Sequence, residues 1–389
     1  MEKIPYNKQY LDKSDLLEVQ RSLKGRLITT GPYVQKLEKK LKKYFNTKNV
    51  IVCSSGTSAI FMALKSIELK SRDNIIIPAI NFIASVNMAE MLGANIYLAD
   101  VDSETGQMTP KTLKECIRRN KLKKVKAVVT MYLGGSPNNV LEFYKLKKIF
   151  KFFLIEDSCH ALGAKYIYNK KFLKVGCSKH CDISTFSLHP VKSITSGEGG
   201  IVTTNNKVLA SRVNNLRSHG IYKEKNANEY WKYDIKSPGF NFRLSDINAA
   251  LAVSQLKKLN KFIISRNRLY LKYVNNFKDK SNIIKIIKHE EKAVSAHHLI
   301  VILINFKKLK INKDQFIKEL IKNNIFPQFH YKPIYKFTYY SKLKKNYKFT
   351  NSENYHKNAL SLPLYLKLTD KNLNKVVKIT KVILKKYAK

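Results

Sequence analysis

Between residues 50 and 205, short apolar runs alternate with stretches whose apolar residues recur at helical spacing. Extended segments are predicted at residues 74–77, 95–98, 126–129, 152–155 and 182–186. Helical patterns lie around and between the earlier segments, at residues 57–67, 85–92, 110–119 and 140–149. Because each crossover is helical, we predict an α/β fold built on one mostly parallel sheet with helices on both faces. Ligands of such sheets bind beyond the carboxyl ends of the strands.

The pattern changes after about residue 245. Two helical patterns, at residues 245–259 and 261–277, precede a strand candidate at residues 298–303, and further helices are predicted at residues 313–323 and 370–387. We therefore expect a large domain at residues 1–255 and a smaller C-terminal α/β domain at residues 256–389. The extreme N-terminus is expected to pack on the smaller domain.

The chain of 389 residues is long enough for two such domains. No segment reaches the roughly 18 uninterrupted apolar residues of a membrane span. The N-terminus lacks the apolar stretch of a signal peptide, so we expect a cytoplasmic protein and no membrane partner. The five cysteines are an odd number, and reduced thiols are expected. A metal site at Cys177, His180 and Cys181 is the less favoured interpretation of those residues, and we predict no metal.

The formal net charge of +45 would ordinarily indicate nucleic acid or an anionic membrane. Lysine greatly outnumbers arginine, the better reader of phosphates and guanines, and the lysines are dispersed along the chain. We therefore favour a solvated basic surface, with no nucleic-acid partner. A basic nucleic-acid-binding or regulatory protein stays as the alternative. A positive field would also attract an anionic substrate such as a nucleoside diphosphate sugar.

One lysine, Lys192, lies in an unusual sequence context. Lys192 follows Ser187 and His189-Pro190 and precedes the glycine-rich residues 197–200, so it lies in a tight, polar turn after a predicted strand. A lysine amine that has lost its proton can condense with a carbonyl, and desolvation lowers a lysine pKa. We predict that Lys192 forms a Schiff base. The alternative is an ordinary solvated lysine.

A second candidate site begins at Ser54, directly after an apolar run and directly before a helical pattern. The unpaired amides at the start of a helix suit a phosphate, and Ser55, Gly56 and Thr57 provide them here. Taken alone, this motif is better explained as a plain helix N-cap. Ser187 could add a hydroxyl group to the same phosphate.

Two further residues follow predicted strands. Asp157 ends a buried-looking strand, where its carboxylate needs a cationic partner such as a protonated pyridine nitrogen; the alternative is a cap of the next turn. Phe82 follows another strand and could stack on a flat ring, although a lone aromatic is more often part of the core. A phosphate cradle, a carboxylate, an aromatic ring and a lysine beside one sheet are what pyridoxal phosphate (PLP) requires.

With these motifs, nearly the whole chain resembles the sugar-nucleotide aminotransferases of the DegT/DnrJ/StrS family, which have fold type I of the PLP enzymes. The resemblance implies that Lys192 binds PLP covalently, that Asp157 pairs with the pyridine nitrogen and that Phe82 stacks on the ring. It also implies a phosphate site at Ser187 with Ser55, Gly56 and Thr57. Leu188 departs from the pattern, because an aromatic residue is common at that position.

The resemblance reaches further residues. His160 falls where a histidine or glutamine flanks the ring oxygen. Asn241, within residues 239–246, matches an asparagine that reaches the phosphate of the neighbouring subunit, so a homodimer with shared active sites is implied. Contacts to the substrate are expected from four other residues, and the tyrosines and histidine among them could equally be ordinary packing or turn residues: Thr30, His330, Tyr331 and Tyr365.

The segments at residues 189–200, 329–333 and 362–365 are most similar to the members of the family that serve pseudaminic acid biosynthesis. That resemblance implies transfer of the amino group of L-glutamate to C4 of a UDP-linked 4-keto-6-deoxy-N-acetyl-hexosamine. Another nucleotide-linked keto sugar is the alternative substrate. Pyridoxamine-dependent sugar dehydratases share this fold, but they have a histidine in place of the lysine, and Lys192 therefore argues against that activity.

Overall fold

The computed structural model describes residues 3–222, 231–235, 237–278, 282–287 and 289–389. Its strands are β1 (Ile4–Pro5), β2 (Asn49–Cys53), β3 (Asn74–Pro78), β4 (Asn95–Ala99), β5 (Ala127–Met131), β6 (Phe153–Asp157), β7 (Lys165–Tyr168), β8 (Lys171–Lys174), β9 (Ile183–Ser187), β10 (Gly200–Thr204), β11 (Ile221–Tyr222), β12 (Asp234–Ile235), β13 (Ile284–Ile286), β14 (Ala293–Val294), β15 (Ile300–Ile304), β16 (Ile325–Phe326) and β17 (Ala359–Leu362).

The α-helices in the described residues are α1 (Lys13–Leu23), α2 (Pro32–Phe45), α3 (Gly56–Ser66), α4 (Ala84–Met91), α5 (Pro110–Arg119), α6 (Val140–Phe150), α7 (Lys207–Arg217), α8 (Asp246–Asn276), α9 (Lys313–Lys322), α10 (Thr350–Asn358) and α11 (Asp370–Lys386). Of these, α3, α4, α5, α6, α8, α9 and α11 overlap predicted helical patterns, whereas α1, α2, α7 and α10 were not predicted.

A seven-stranded sheet forms the centre of the molecule, in the order β2-β10-β9-β6-β5-β3-β4. Its neighbouring strands from β9 through β6, β5 and β3 to β4 are parallel, whereas β10 runs antiparallel to both β9 and β2. The prediction of a mostly parallel sheet is therefore confirmed. Strands β2, β3, β5, β6 and β9 all point the same way, so their carboxyl ends meet at one edge.

Alternate residues of each strand pack against helices on opposite faces of the sheet. In β5, Val128 packs with residues of α5 and α6, whereas Val129 packs with residues of α3, α4 and α7. Both valines are fully buried. Strands buried on both faces read as continuous apolar runs, which is why these segments could be recognised in the sequence.

The C-terminal part of the chain forms a smaller layer. Strands β13, β15 and β17 make an antiparallel sheet that packs with α9 and α11. Near the N-terminus, β1 pairs in parallel with β16, and Ile4 is buried in the same hydrophobic cluster. The first residues of the chain are thereby tied to its last third.

Helix α8 corrects one expectation. The sequence pattern predicted a break between two helices near residue 260, but the structure has one helix from Asp246 to Asn276. This stretch contains neither glycine nor proline, so nothing in its backbone interrupts the hydrogen-bond ladder. The expected domain boundary after residue 255 falls inside this helix, and the division into two domains stays a prediction.

Candidate active site

Lys192 lies in the connection between β9 and β10, where a network of backbone hydrogen bonds fixes the turn. Its amide donates to the carbonyl of His189 at 2.9 Å, and the amide of Leu188 donates to the carbonyl of Gly199 at 2.8 Å. The side chain is partly buried. Burial lowers the pKa of Lys192, and the nearby Cys159 and Asp157 oppose this shift. A larger fraction of the amine is therefore unprotonated at neutral pH than in a solvated lysine.

Asp157 is the last residue of β6, the strand next to β9. Its carboxylate accepts hydrogen bonds from the amide of Cys159 at 3.2 Å and from the hydroxyl group of Ser85 at 3.4 Å. Burial raises the pKa of Asp157, whereas the bonds from Cys159 and the charge of Lys192 lower it. A buried carboxylate without a cation at its oxygens is costly, so this side chain is suited to receive a cationic partner.

The loop after β2 brings the start of α3 against the end of β9. Ser55 caps α3, because its hydroxyl oxygen accepts the amide of Ser58 at 3.0 Å. The next two amides, of Gly56 and Thr57, belong to the first helical turn and have no partner within the helix. A Cβ on Gly56 would lie 2.9 Å from the Cβ of Ser187, so only glycine allows this approach. The result is a small cradle lined by amides and hydroxyl groups.

His160 is fixed by hydrogen bonds at both ring nitrogens. Its Nδ1 accepts the amide of Gly134 at 3.4 Å, and its Nε2 lies 3.0 Å from the hydroxyl oxygen of Tyr331. Burial, followed by the charges of Lys192 and His330, holds the pKa of His160 well below its usual range. In the neutral ring the proton then belongs on Nε2, so His160 donates to Tyr331 and leaves the phenol hydrogen free for another acceptor.

These side chains line one cavity of about 490 Å³. The predicted residues that it brings together are Ser55, Gly56, Thr57, Phe82, Asp157, His160, Ser187, Lys192, His330 and Tyr331. Three others lie outside its lining. Thr30 and Asn241 are exposed on the surface, and Tyr365 is buried in the cluster around α11. The ring of Phe82 is half exposed and lies 5.7 Å from that of Tyr331.

Comparison with known proteins assigns this chain to a protein family. Residues 9–381 match the sequence profile of the DegT/DnrJ/EryC1/StrS aminotransferase family. The chain belongs to this family. It is therefore a sugar aminotransferase, and the resemblance inferred from its motifs is confirmed.

Relatives in the family cover nearly the whole chain. A UDP-4-amino-4,6-dideoxy-N-acetyl-beta-L-altrosamine transaminase of Campylobacter jejuni is 34% identical over 95% of this chain and 94% of its own length. Spore coat polysaccharide biosynthesis protein SpsC of Bacillus subtilis is 28% identical over 98% of this chain and 97% of its own length.

Solved structures of the family have the same fold. Helicobacter pylori PseC, an aminotransferase involved in the biosynthesis of pseudoaminic acid, matches with a TM-score of 0.89 and 29% identity over 99% of this chain and all of PseC. Spr1654 of Streptococcus pneumoniae in its PMP form matches with a TM-score of 0.88 and 27% identity, over 98% and 99% of the two chains. The predicted fold type I is thereby confirmed.

The cavity is also lined by residues that were not predicted from the sequence. Tyr6, His298, Gln328 and Phe329 line it from the N-terminal segment and from the C-terminal part of the chain. None of them follows a strand of the large sheet, which was the signal used to find the others. For Gln328 and Phe329 a weak signal existed, because they directly precede the predicted contacts His330 and Tyr331.

The Cys177, His180 and Cys181 group has a packing role in this aminotransferase. Nδ1 of His180 lies 2.8 Å from the hydroxyl oxygen of Tyr166, and Sγ of Cys181 lies 3.2 Å from the hydroxyl oxygen of Ser184. Within the described residues, no cluster of three or more histidine, cysteine or acidic side chains could hold a metal ion. Over the same residues, no helix is both long and apolar enough to cross a membrane.

Proposed function

We propose that this protein is a PLP-dependent aminotransferase that moves the amino group of L-glutamate to C4 of a UDP-linked 4-keto-6-deoxy-N-acetyl-hexosamine. The observation that carries the proposal is the shared cavity of Lys192 and Asp157: Asp157 ends β6, and Lys192 follows the end of the adjacent strand β9. The Campylobacter relative, named as a transaminase of a UDP-linked 4-amino-4,6-dideoxy-N-acetyl sugar, and PseC, named for the biosynthesis of pseudoaminic acid, support the choice of substrate.

The residues of the cavity fit PLP. The free amides of Gly56 and Thr57, with the hydroxyl group of Ser187, would hold its phosphate, and the absence of a Cβ on Gly56 lets Ser187 come close enough to join them. Asp157 would pair with the pyridine nitrogen, and Phe82 would cover the ring. When bound, PLP supplies an electron sink for breaking a bond at the amino-bearing carbon.

The remaining chemistry is proton transfer by Lys192. This residue would hold the cofactor covalently and, once free, would carry a proton between the reacting carbon and the cofactor. The lowered pKa of Lys192 suits this role because the amine must accept a proton near neutral pH. Asp157 would keep the proton on the ring nitrogen, and His160 would orient the hydroxyl group of Tyr331.

We further propose that the active enzyme is a homodimer. Asn241 is exposed and lies outside this chain's cavity, which is where a residue that serves the phosphate of a neighbouring subunit has to be. Of the other predicted substrate contacts, His330 and Tyr331 lie in the cavity, whereas Thr30 and Tyr365 would need a rearrangement or a second subunit to reach a ligand. The cytoplasmic location stays a prediction.

A second candidate substrate is another nucleotide-linked keto sugar. The relative from Bacillus subtilis is named for spore coat polysaccharide biosynthesis and is 28% identical to this chain over nearly its full length. Purified enzyme should therefore be given glutamate and a panel of UDP- and dTDP-linked 4-keto and 3-keto sugars, with the aminated product identified by mass spectrometry and NMR. Amination of only a dTDP sugar would contradict the UDP assignment.

The cofactor assignment is tested by Lys192→Ala. The purified wild type reconstituted with PLP should show the visible absorption of a lysine-bound cofactor, and the variant should lose both this band and turnover. Lys332→Ala is the matched control, because Lys332 follows Tyr331 at the same cavity but is exposed and outside its lining. If Lys192→Ala keeps the band, another lysine holds the cofactor and the proposed site is wrong.

A further inference from the structure

His298 is a cavity residue whose imidazole ring has no assigned partner. It lies two residues before β15 and lines the cavity. The ring is 1% exposed and packs on the ring of His160, with the ring centres 4.2 Å apart. His298 therefore borders the same space as Lys192 and Tyr331.

The hydrogen bonding of His298 differs from that of the other two histidines of this cavity. His160 uses both ring nitrogens, and Nδ1 of His330 lies 2.8 Å from the hydroxyl oxygen of Ser361. No residue in the described part of the chain bonds to a ring nitrogen of His298, and its Nδ1 is sealed from solvent. Nε2 is not sealed in this way, so it is the ring nitrogen that a ligand in the cavity can reach, and without a protein partner it is free to hydrogen-bond that ligand.

Hydrogen bonds fix the main chain of His298 beside the cavity. Its amide donates to the carbonyl of Gly134 at 2.9 Å. Its carbonyl accepts the buried guanidinium of Arg266 at 3.4 Å, and the same guanidinium nitrogen also reaches the carbonyl of Leu364 at 3.2 Å. The residue is thus held between the loop after β5, helix α8 and the segment after β17. Such support on several sides is typical of a positioned binding group.

The charges around His298 define what it can bind. Burial, followed by electrostatic interactions with His160, Lys192, Arg266 and His330, holds the pKa of His298 well below its usual range. The ring is therefore neutral and offers one donor and one acceptor. This pairing suits the hydroxyl groups and the amide of an N-acetyl sugar. A carboxylate would bind better to a protonated ring, which these surroundings oppose.

We propose that His298 is a substrate-binding residue that hydrogen-bonds a hydroxyl group or the N-acetyl amide of the amino-accepting sugar. The assignment rests on the proposed function and deepens it, because it gives His298 a role in the sugar half of the reaction and none in the glutamate half. The two halves can be measured separately on the purified holoenzyme. The donor half starts from the PLP form with glutamate, and the acceptor half starts from the PMP form with the keto sugar.

The test uses His298→Phe, which keeps a flat ring and removes both nitrogens. We expect the acceptor half to slow, or the dissociation constant of the sugar to rise, by about 10- to 100-fold, with the donor half changed less than about threefold. Titration calorimetry with UDP-N-acetylglucosamine, a stable analogue with the amide and hydroxyl groups, should show the same weakening, with the cofactor absorption unchanged. His289→Phe is the control, because the ring nitrogens of His289 also have no partner among the described residues but lie outside the cavity.

His298→Asn and His298→Gln place an amide near the positions of Nδ1 and Nε2, respectively. Partial recovery by one of them would support the assignment and identify the nitrogen used, and these variants also serve if His298→Phe does not fold. Equal losses in both half-reactions, or no loss in the acceptor half, would overturn the assignment while leaving the proposed function intact. A wild type that does not react with glutamate would instead overturn the proposed function, and this assignment with it.

Discussion

At the scale of single residues, burial keeps most histidines of this protein uncharged. Seven of the nine have a pKa lowered chiefly by burial, among them His297 and His330, for which it falls to about 3. Unfolding returns each to its ordinary pKa of about 6.5, so the unfolded chain takes up protons that the folded chain refuses. Protonation of these histidines therefore does not reduce the unfolding free energy above about pH 6.5, and it reduces the unfolding free energy progressively as the pH drops toward 3.

His297→Asn tests this linkage at one position. His297 has a positive φ of 45°, which asparagine tolerates better than most residues. The unfolding free energy of the wild type should fall between pH 7 and pH 5. In His297→Asn, which lacks the buried imidazole, this fall should be smaller by roughly 2 kcal/mol. Urea unfolding at the two pH values measures this. His219→Asn is the control, because His219 is exposed and has a φ of 61°. Equal pH dependence in wild type and His297→Asn would contradict the argument.

At the scale of elements, the start of α8 also caps α2. Asp246, the first residue of α8, is completely buried, and its carboxylate accepts the amides of Gly31, Tyr33 and Val34, the last two at 2.6 and 3.1 Å. Gly31 itself makes no side-chain cap at the N-terminus of α2. One carboxylate thus satisfies amides that a helix normally leaves to its own N-cap residue, and it joins two distant parts of the chain.

We expect Asp246→Asn to lower the unfolding free energy by about 1–3 kcal/mol, because an amide provides one acceptor oxygen instead of two. Asp370→Asn is a matched control. Asp370 is the first residue of α11, but it is exposed and pairs with Lys272 at the surface, where such a pair contributes about 0–1 kcal/mol. Denaturant unfolding of both variants should separate them. Similar losses in the two would show that the cap on α2 adds little.

Helices and strands were predicted accurately where the local sequence carries a clear signal for them. Strands β3 to β6 were predicted within a residue or two because a strand buried on both faces is a short apolar run between turns. The continuity of α8 was missed because polar residues surround Leu259 near the middle of the helix, at Lys257, Lys258, Asn260 and Lys261, and they resemble an interruption between two helices. The bond from Asp246 to α2 spans more than 200 residues, so no local pattern could reveal it.

The residues of the candidate site likewise include some that a local sequence signal reveals and some that it does not. Gly56, Asp157 and Lys192 could be predicted because each follows a strand of one sheet, and parallel strands bring their carboxyl ends together. His298 and Tyr6 reach the cavity only through the packing of the smaller layer on the large sheet. Their sequence surroundings are those of ordinary buried residues, so tertiary structure was needed to find them.

At the scale of the whole molecule, several apolar side chains are exposed that a lone subunit would leave in water. On and after α1, Leu16, Leu17, Leu23 and Ile28 are each more than half exposed, and Phe240, next to Asn241, is nearly so. Exposed apolar groups of this kind favour association with another protein surface. With a net charge of +45, a second copy would be repelled at long range, so close apolar contact has to provide the attraction.

Mixing two inactive variants tests whether two copies share their active sites. Lys192→Ala removes the reactive amine, and Asn241→Ala removes the group that we expect to serve the other subunit. In a mixed dimer both changes then fall in one site and leave the other complete. Unfolding and refolding an equal mixture should restore about a quarter of the wild-type activity per subunit, because half of the dimers are mixed and each has one intact site. Light scattering should give twice the 45.0-kDa chain mass. If Asn241 serves its own chain's cavity, each mixed dimer would carry one defect per site and the mixture would stay inactive.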